Sequence, residues 1–301
     1  MTKNRYANLR RIEKLDPEVD YDEIYRLVAY HEFPWEVVQG TSIAFMRDYG
    51  VPSIADLLDR TGRFREDGQK RYDDTVLIGV EYAADGIDSE RARATIRKLN
   101  QIHGHYGIPN HEFRYVLATT LVGPVRFIER YGYRALHPHE LVALTKVTTR
   151  LGQLMGIKEL PTDYAEYVQL HDEYEAEHFA FAPANRRVAE DSIKIVAEWY
   201  PRPVRPLYRR VVLALLDRPL LDALGLPPQP SWLVALMDRA LRVRARVIRF
   251  LPPRSADHPY AHDAGRTYPF GYSLVDLGPR NHSEELHAHA AFTHGTTLKG
   301  V

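Results

Sequence analysis

The stretch Asn100-Gln101-Ile102-His103-Gly104-His105-Tyr106-Gly107-Ile108-Pro109-Asn110 decides how the chain is read, because it ends a helix that carries a histidine on its apolar face. Counting back from His103 at helical spacing meets Asn100, Leu99, Ile96 and Ala92, a stripe that faces a core. His105 falls instead with Gln101 and Lys98 on a polar face. In a straight helix the two imidazoles lie about 200° apart, so one small ligand cannot take both. His103 is the inward one. A lone histidine on such a stripe is either a satisfied core residue or a ligand, and its spacing alone leaves both open.

The setting of that histidine is polar. In Arg71-Tyr72-Asp73-Asp74-Thr75, Arg71 and Thr75 stand at i and i+4, and Ile78 and Tyr82 continue the same face. A second helix therefore carries a permanent cation and a hydroxyl inward, where neither sits cheaply without a partner. An inward imidazole, guanidinium and hydroxyl mark a polar spot in an apolar helical shell, which a haem or another metal centre requires. A purely structural role, with Arg71 paired to Asp74 or to a helix end, accounts for the same residues.

Further along, Phe33-Pro34-Trp35, Val51-Pro52-Ser53-Ile54, Thr61-Gly62-Arg63-Phe64, Arg71-Tyr72-x-Asp74-Thr75, Asn100-Gln101-Ile102-His103 and Ile108-Pro109-Asn110 occur in order. Tyr131-Gly132-Tyr133-Arg134, Met155-Gly156-Ile157, Tyr174-Glu175-x-x-His178-Phe179 and Gly271-Tyr272 with Leu277-Gly278-Pro279 follow. This series, over roughly residues 20 to 280, resembles the MpaB-like oxygenases, which share a domain with the rubber-cleaving latex clearing proteins. The resemblance implies an all-helical haem b protein that uses dioxygen, with His103 as the proximal iron ligand and Arg71 and Thr75 lining the haem pocket. His105 is the fallback ligand if the helix ends early. Arg134 is expected to pair with a haem propionate, because a planar guanidinium matches a carboxylate; Arg126 and Arg130 are weaker candidates.

Composition narrows the alternatives. The chain has 301 residues, 40 basic and 40 acidic, and no cysteine. Zero formal charge argues against a nucleic-acid partner, and the missing thiols exclude disulfides, iron–sulfur clusters and thiolate-ligated haem. The polar N-terminus lacks an apolar signal core and no run approaches a membrane span, so the expected setting is cytoplasmic.

Taken in order, residues 1–20 read as a partly frayed segment, 21–252 as one all-α domain enclosing a haem pocket, and 253–301 as a proline- and histidine-rich, partly disordered extension. Gly62 and Gly156 are helix stops, and Ser53, Ser89, Asn110, Thr162 and Ser231 are expected to start helices. Gly123-Pro124 is expected to interrupt the helix that begins at Asn110. No run alternates with period two.

Two further stretches carry their own readings. Glu175-x-x-His178 is one unit of a di-iron carboxylate bundle, but such a bundle needs a second unit, and the other instance is Glu284-x-x-His287 in the tail. A Tyr/His packing stripe of Tyr167, His171, Tyr174 and His178 accounts for the same helix. Near the C-terminus, Arg239, Arg242, Arg246 and Arg249 make a basic helix face, which is either solvated or laid on an anionic membrane, with a short path from there to His103. The tail histidines 258, 262, 282, 287, 289 and 294 read as unstructured.

These readings converge on a haem-dependent oxygenase acting with dioxygen on a hydrophobic substrate, alkene-bearing or prenylated. The resemblance implies oxidative cleavage of a carbon–carbon double bond. A non-catalytic helical protein that sequesters haem or a lipophile is the alternative, and a non-haem di-iron oxidase stands behind it.

Overall fold

Proline and glycine punctuation sets most of the helix boundaries in the computed structural model, which describes residues 4–254 and 266–279. Pro34 opens helix α3 (Pro34–Asp48) and Pro52 opens α4 (Pro52–Thr61), each in the first turn where the missing N–H costs nothing. Gly62, with φ of 68°, ends α4. Before them lie α1 (Ala7–Ile12) and α2 (Tyr21–Arg26), and α2 runs on into a π-helical turn over Leu27–Glu32. After the short α5 (Arg63–Glu66) come α6 (Gly68–Ala84) and α7 (Glu90–His103), and Ser89 caps α7 through a bond from the Ala92 amide. The remainder is α8 (Asn110–Tyr131), α9 (Pro138–Leu154), α10 (Tyr164–His178), α11 (Pro183–Ala197), α12 (Arg205–Leu215), α13 (Arg218–Leu224) and α14 (Ser231–Ile248). Among the described residues there is no strand, so the all-α expectation is met.

Several expected caps moved. Asn110 is the first residue of α8, not its cap, and its amide clamps the far end of α9 by accepting from the Lys158 amide at 2.9 Å and donating to the Lys158 carbonyl at 3.1 Å. Asp163 caps α10 in place of Thr162, and Thr162 donates to Glu166. Ser53 lies inside α4, behind Pro52, whereas Ser231 starts α14 as expected.

Gly123-Pro124 does not interrupt α8. The helix continues to Tyr131 because α3 crosses it there in the tightest packing of the fold. A Cβ on Gly40 would stand 2.5 Å from the Pro124 Cα, and one on Gly123 would stand 2.7 Å from the Ala44 Cβ. Tertiary packing thus offsets a local cost of about 3 kcal/mol for an interior proline.

The main core joins α2, the π-turn, α8 and α9 through Ile24, Val28, Phe33, Val122, Val125 and Val147. A second core forms where α3 meets α11, α12 and α13. The hairpin of α6 on α7 is closely packed within itself, yet it meets α3 and α8 only at isolated points. Leu99, Phe113 and Val116 are half-buried, each packed at the edge of a different apolar cluster.

The C-terminal stretch 266–279 folds back over α6 and α7. The Nζ of Lys70, buried on α6, is ringed at 2.8 Å by the Asp74 carboxylate, the Tyr268 hydroxyl and the carbonyls of Asp276 and Gly278, four oxygens that share its three N–H donors. Asp74 accepts in return from the Gly278 amide at 3.0 Å, and Leu277 packs on Leu77 and Ile78.

Candidate functional site

His103 closes α7, and its phase is the one the stripe predicts. Ala92 and Ile96 on that stripe are buried, and Asn100 donates to the Leu154 carbonyl at the end of α9 at 3.0 Å, which fixes the last turn. The imidazole is half-buried beside the Phe113 ring of α8, with centroids 5.4 Å apart. Its Nδ1 is enclosed and has no hydrogen-bond partner. Burial, and then the charge of Arg71, push its pKa down to about 4, so at neutral pH the ring is uncharged and has a lone pair to offer. His105 lies beyond the helix, exposed, with Nδ1 2.7 Å from the Gln101 carbonyl.

Arg71 and Thr75 face the same interior from α6. The Arg71 guanidinium donates to the Thr75 hydroxyl, which donates in turn to the Arg71 carbonyl at 2.8 Å. The guanidinium also lies 5.6 Å over the Phe64 ring. Among the described residues it forms no ion pair, and Asp74, its expected partner, belongs to Lys70, about 100° round the helix. One turn beyond Thr75, a Cβ on Gly79 would meet nothing within 4 Å. The α6 surface at Gly79 therefore opens on free space.

Arg134 is not part of this site. Its five N–H groups are taken by the Tyr133 hydroxyl, the Ala135 carbonyl, Glu32 and both oxygens of Glu140, and its plane stacks on Phe33. Nothing remains for a propionate. The sequence signal missed here was Glu32, a buried acid 102 residues away, and Glu140, whose carboxylate also caps α9. Arg126 and Arg130 pair with Asp172 and Asp238 at the surface.

Lys98 reverses its expected role as a polar-face residue. It is buried beside Gly278, its Nζ has no partner, and burial followed by the charge of Lys70 lowers its pKa.

The Glu175 and His178 pair does not build a metal site. Arg47 holds Glu175 in a fork, the Tyr115 hydroxyl donates to it at 3.1 Å, and His178 stacks on Tyr174 with centroids 3.9 Å apart. Among the described residues no three His, Asp or Glu side chains converge as a metal would need. Glu284, His287 and the tail histidines lie outside the described residues.

The basic helix α14 packs at the far end of α8, where Arg130 and the Tyr131 hydroxyl meet Asp238. Tyr131 is roughly 27 Å along α8 from Phe113 at 1.5 Å per residue, so α14 does not open a short path to His103.

Fold and site together define an all-helical protein in which a neutral inward imidazole lies within reach of the charge of a guanidinium that pairs with no acid among the described residues. The chain belongs to the family described as ER-bound oxygenase mpaB/B'/Rubber oxygenase, catalytic domain, whose match covers residues 37–250. It is 31% identical over 253 residues to the ER-bound oxygenase mpaB' of Penicillium brevicompactum, covering 77% of this chain and 60% of that protein. It is 31% identical over 228 residues to the ER-bound oxygenase mpaB of the same organism, covering 69% and 58%, and 28% identical over 220 residues to that of Penicillium roqueforti, covering 67% and 74%. This chain thus spans somewhat under two thirds of the two Penicillium brevicompactum proteins. No helix among its described residues is long and apolar enough to cross a membrane.

Proposed function

We propose that this protein is a haem b-dependent oxygenase that acts with dioxygen on a hydrophobic small molecule, alkene-bearing or prenylated. The observation that carries the reading is the enclosed, unpartnered Nδ1 of a neutral His103, held across from an Arg71 that no carboxylate neutralises. Gly79 leaves open space beside α6, and the α6–α7 hairpin meets α3 and α8 only sparsely, which supports room for a flat macrocycle there. Family membership supports oxygen chemistry, since the relatives named above are called oxygenases.

Bound haem supplies the iron at which dioxygen is activated, and His103 is the residue to hold it. Ring orientation at a ligating imidazole is set by its surroundings, and here Phe113 and the Asn100–Leu154 bond fix the helix end that carries it. Arg71 offers free N–H donors and Thr75 a hydroxyl that is oriented by the Arg71 carbonyl. Fixed donors in a water-poor site stabilise negative charge as it develops on oxygen. Phe113, whose ring lies beside His103, would present apolar surface to a hydrophobic substrate and help to keep water out. Oxidative cleavage of a carbon–carbon double bond is the reaction class we assign.

The test is expression with supplemented haem. The wild type is expected to purify with a Soret band and near-stoichiometric haem, His103→Ala to lose it, and His105→Ala to keep it. Colourless wild-type protein would overturn the haem reading, and a haem-free His105 variant would overturn the choice of ligand. Product analysis under labelled dioxygen separates an oxygenase from a haem carrier.

A further inference from the structure

Helix α14 buries one narrow face and leaves a second apolar face in solvent. Leu233, Leu241 and Ala245 are enclosed against the body. Trp232, Leu236, Val243 and Val247 point away from it, with Trp232 65% and the following Phe250 85% exposed. At 100° per residue these four outward side chains fall within about 60° of one another, so they form one strip rather than scattered exposures. Arg239, Arg246 and Arg242 flank the strip on one side, roughly 50–110° from its centre. Arg242 pairs with Asp238 at 2.8 Å, while Arg239 and Arg246 form no ion pair among the described residues. Helix α12 packs alongside and adds Leu207, 57% exposed. Residues 201–251 carry ten arginines and three aspartates on a chain whose formal charge is zero.

We infer that the outer face of α14 docks this protein on an anionic membrane surface. An apolar strip bordered by guanidinium groups matches a bilayer interface, in which apolar side chains enter the acyl boundary and cations meet headgroup phosphates. A second copy of the chain fits worse, because a two-fold contact with antiparallel α14 helices brings each arginine row against its own copy. The surface lies away from the His103 end of α8, so it would anchor the protein at a distance from His103. It stands independently of the haem reading.

The experiment is co-sedimentation of the purified protein with vesicles of phosphatidylcholine alone or with 30% phosphatidylserine, at low and high salt. The wild type is expected to pellet with the anionic vesicles at low salt and to be released at high salt. Each arginine near such a surface contributes about 1 kcal/mol, so Arg239→Gln with Arg246→Gln predicts roughly a 30-fold loss of partitioning. Trp232→Ser with Leu236→Ser, both exposed and so tolerated by the fold, is expected to weaken binding at either salt concentration. Absent pelleting, or pelleting that neither pair of substitutions changes, overturns the proposal. Size-exclusion chromatography that shows a dimer abolished by the serine pair, without vesicle binding, assigns the face to a second copy and overturns it as well.

Discussion

Lys70 and Asp74 pair at 2.8 Å across one turn of α6, and one position further round the same turn Arg71 and Thr75 bond to each other. The two pairs sit about 100° apart. One holds the C-terminal stretch, and the other lies on the side of His103. Lys70→Met leaves the Asp74 carboxylate buried with no cation, a loss of about 3–5 kcal/mol. It is expected to appear first as faster hydrogen exchange across residues 266–279, measured by mass spectrometry. Unchanged exchange there would mean that Leu277 and its apolar neighbours suffice to hold the stretch.

Arg71→Gln and Thr75→Ala are expected to fold with near-wild-type stability, since Arg71 is half-buried and no acid depends on it. Their effect falls on turnover, on the order of 100-fold for loss of a fixed donor. Thermal unfolding and product formation, measured on the same preparations, check both halves. Normal rates with normal haem content would make the pair structural.

Arg134→Leu is expected to cost at least about 3–5 kcal/mol, because Glu32 and Glu140 are left as buried acids without a cation. Lysine does not rescue it, having three donors where five are used. Chemical denaturation measures the loss. The folded fraction is expected to bind haem as the wild type does; selective haem loss at unchanged stability would return Arg134 to the propionate role.

Asp48 supplies a pH test. Burial holds its carboxyl well above the usual range, against the lowering effect of the Thr119 hydroxyl that donates to it at 3.1 Å. Above the unfolded value near 4, the unfolded chain releases this proton while the folded chain retains it, so stability falls as pH rises. Asp48→Asn removes the term and is expected to gain on the wild type from pH 4 towards neutrality, with no gain below pH 4. Parallel stability curves for the two proteins across that range would show that Asp48 ionises freely.

The all-helical class and the phase of His103 were legible in the sequence because both rest on local periodicity. Ala92, Ile96 and Asn100 point the same way whatever packs against them. Proline at the head of α3, α4 and α9, and glycine at the end of α4, act through their own φ angles and needed no partner to be read.

Tertiary structure decided what each polar side chain does. Arg134 answers to Glu32, 102 positions away, Lys98 is covered by Gly278, and Asn110 clamps Lys158. Asp74 turns from Arg71 to Lys70 because residues 268–278 arrive to complete that cluster. Even Gly123-Pro124, a break by local propensity, stays helical because Gly40 and Ala44 press against it. Helical spacing records which face a residue occupies, whereas ion pairs and close crossings depend on segments brought together by the burial of apolar surface, which no local spacing encodes.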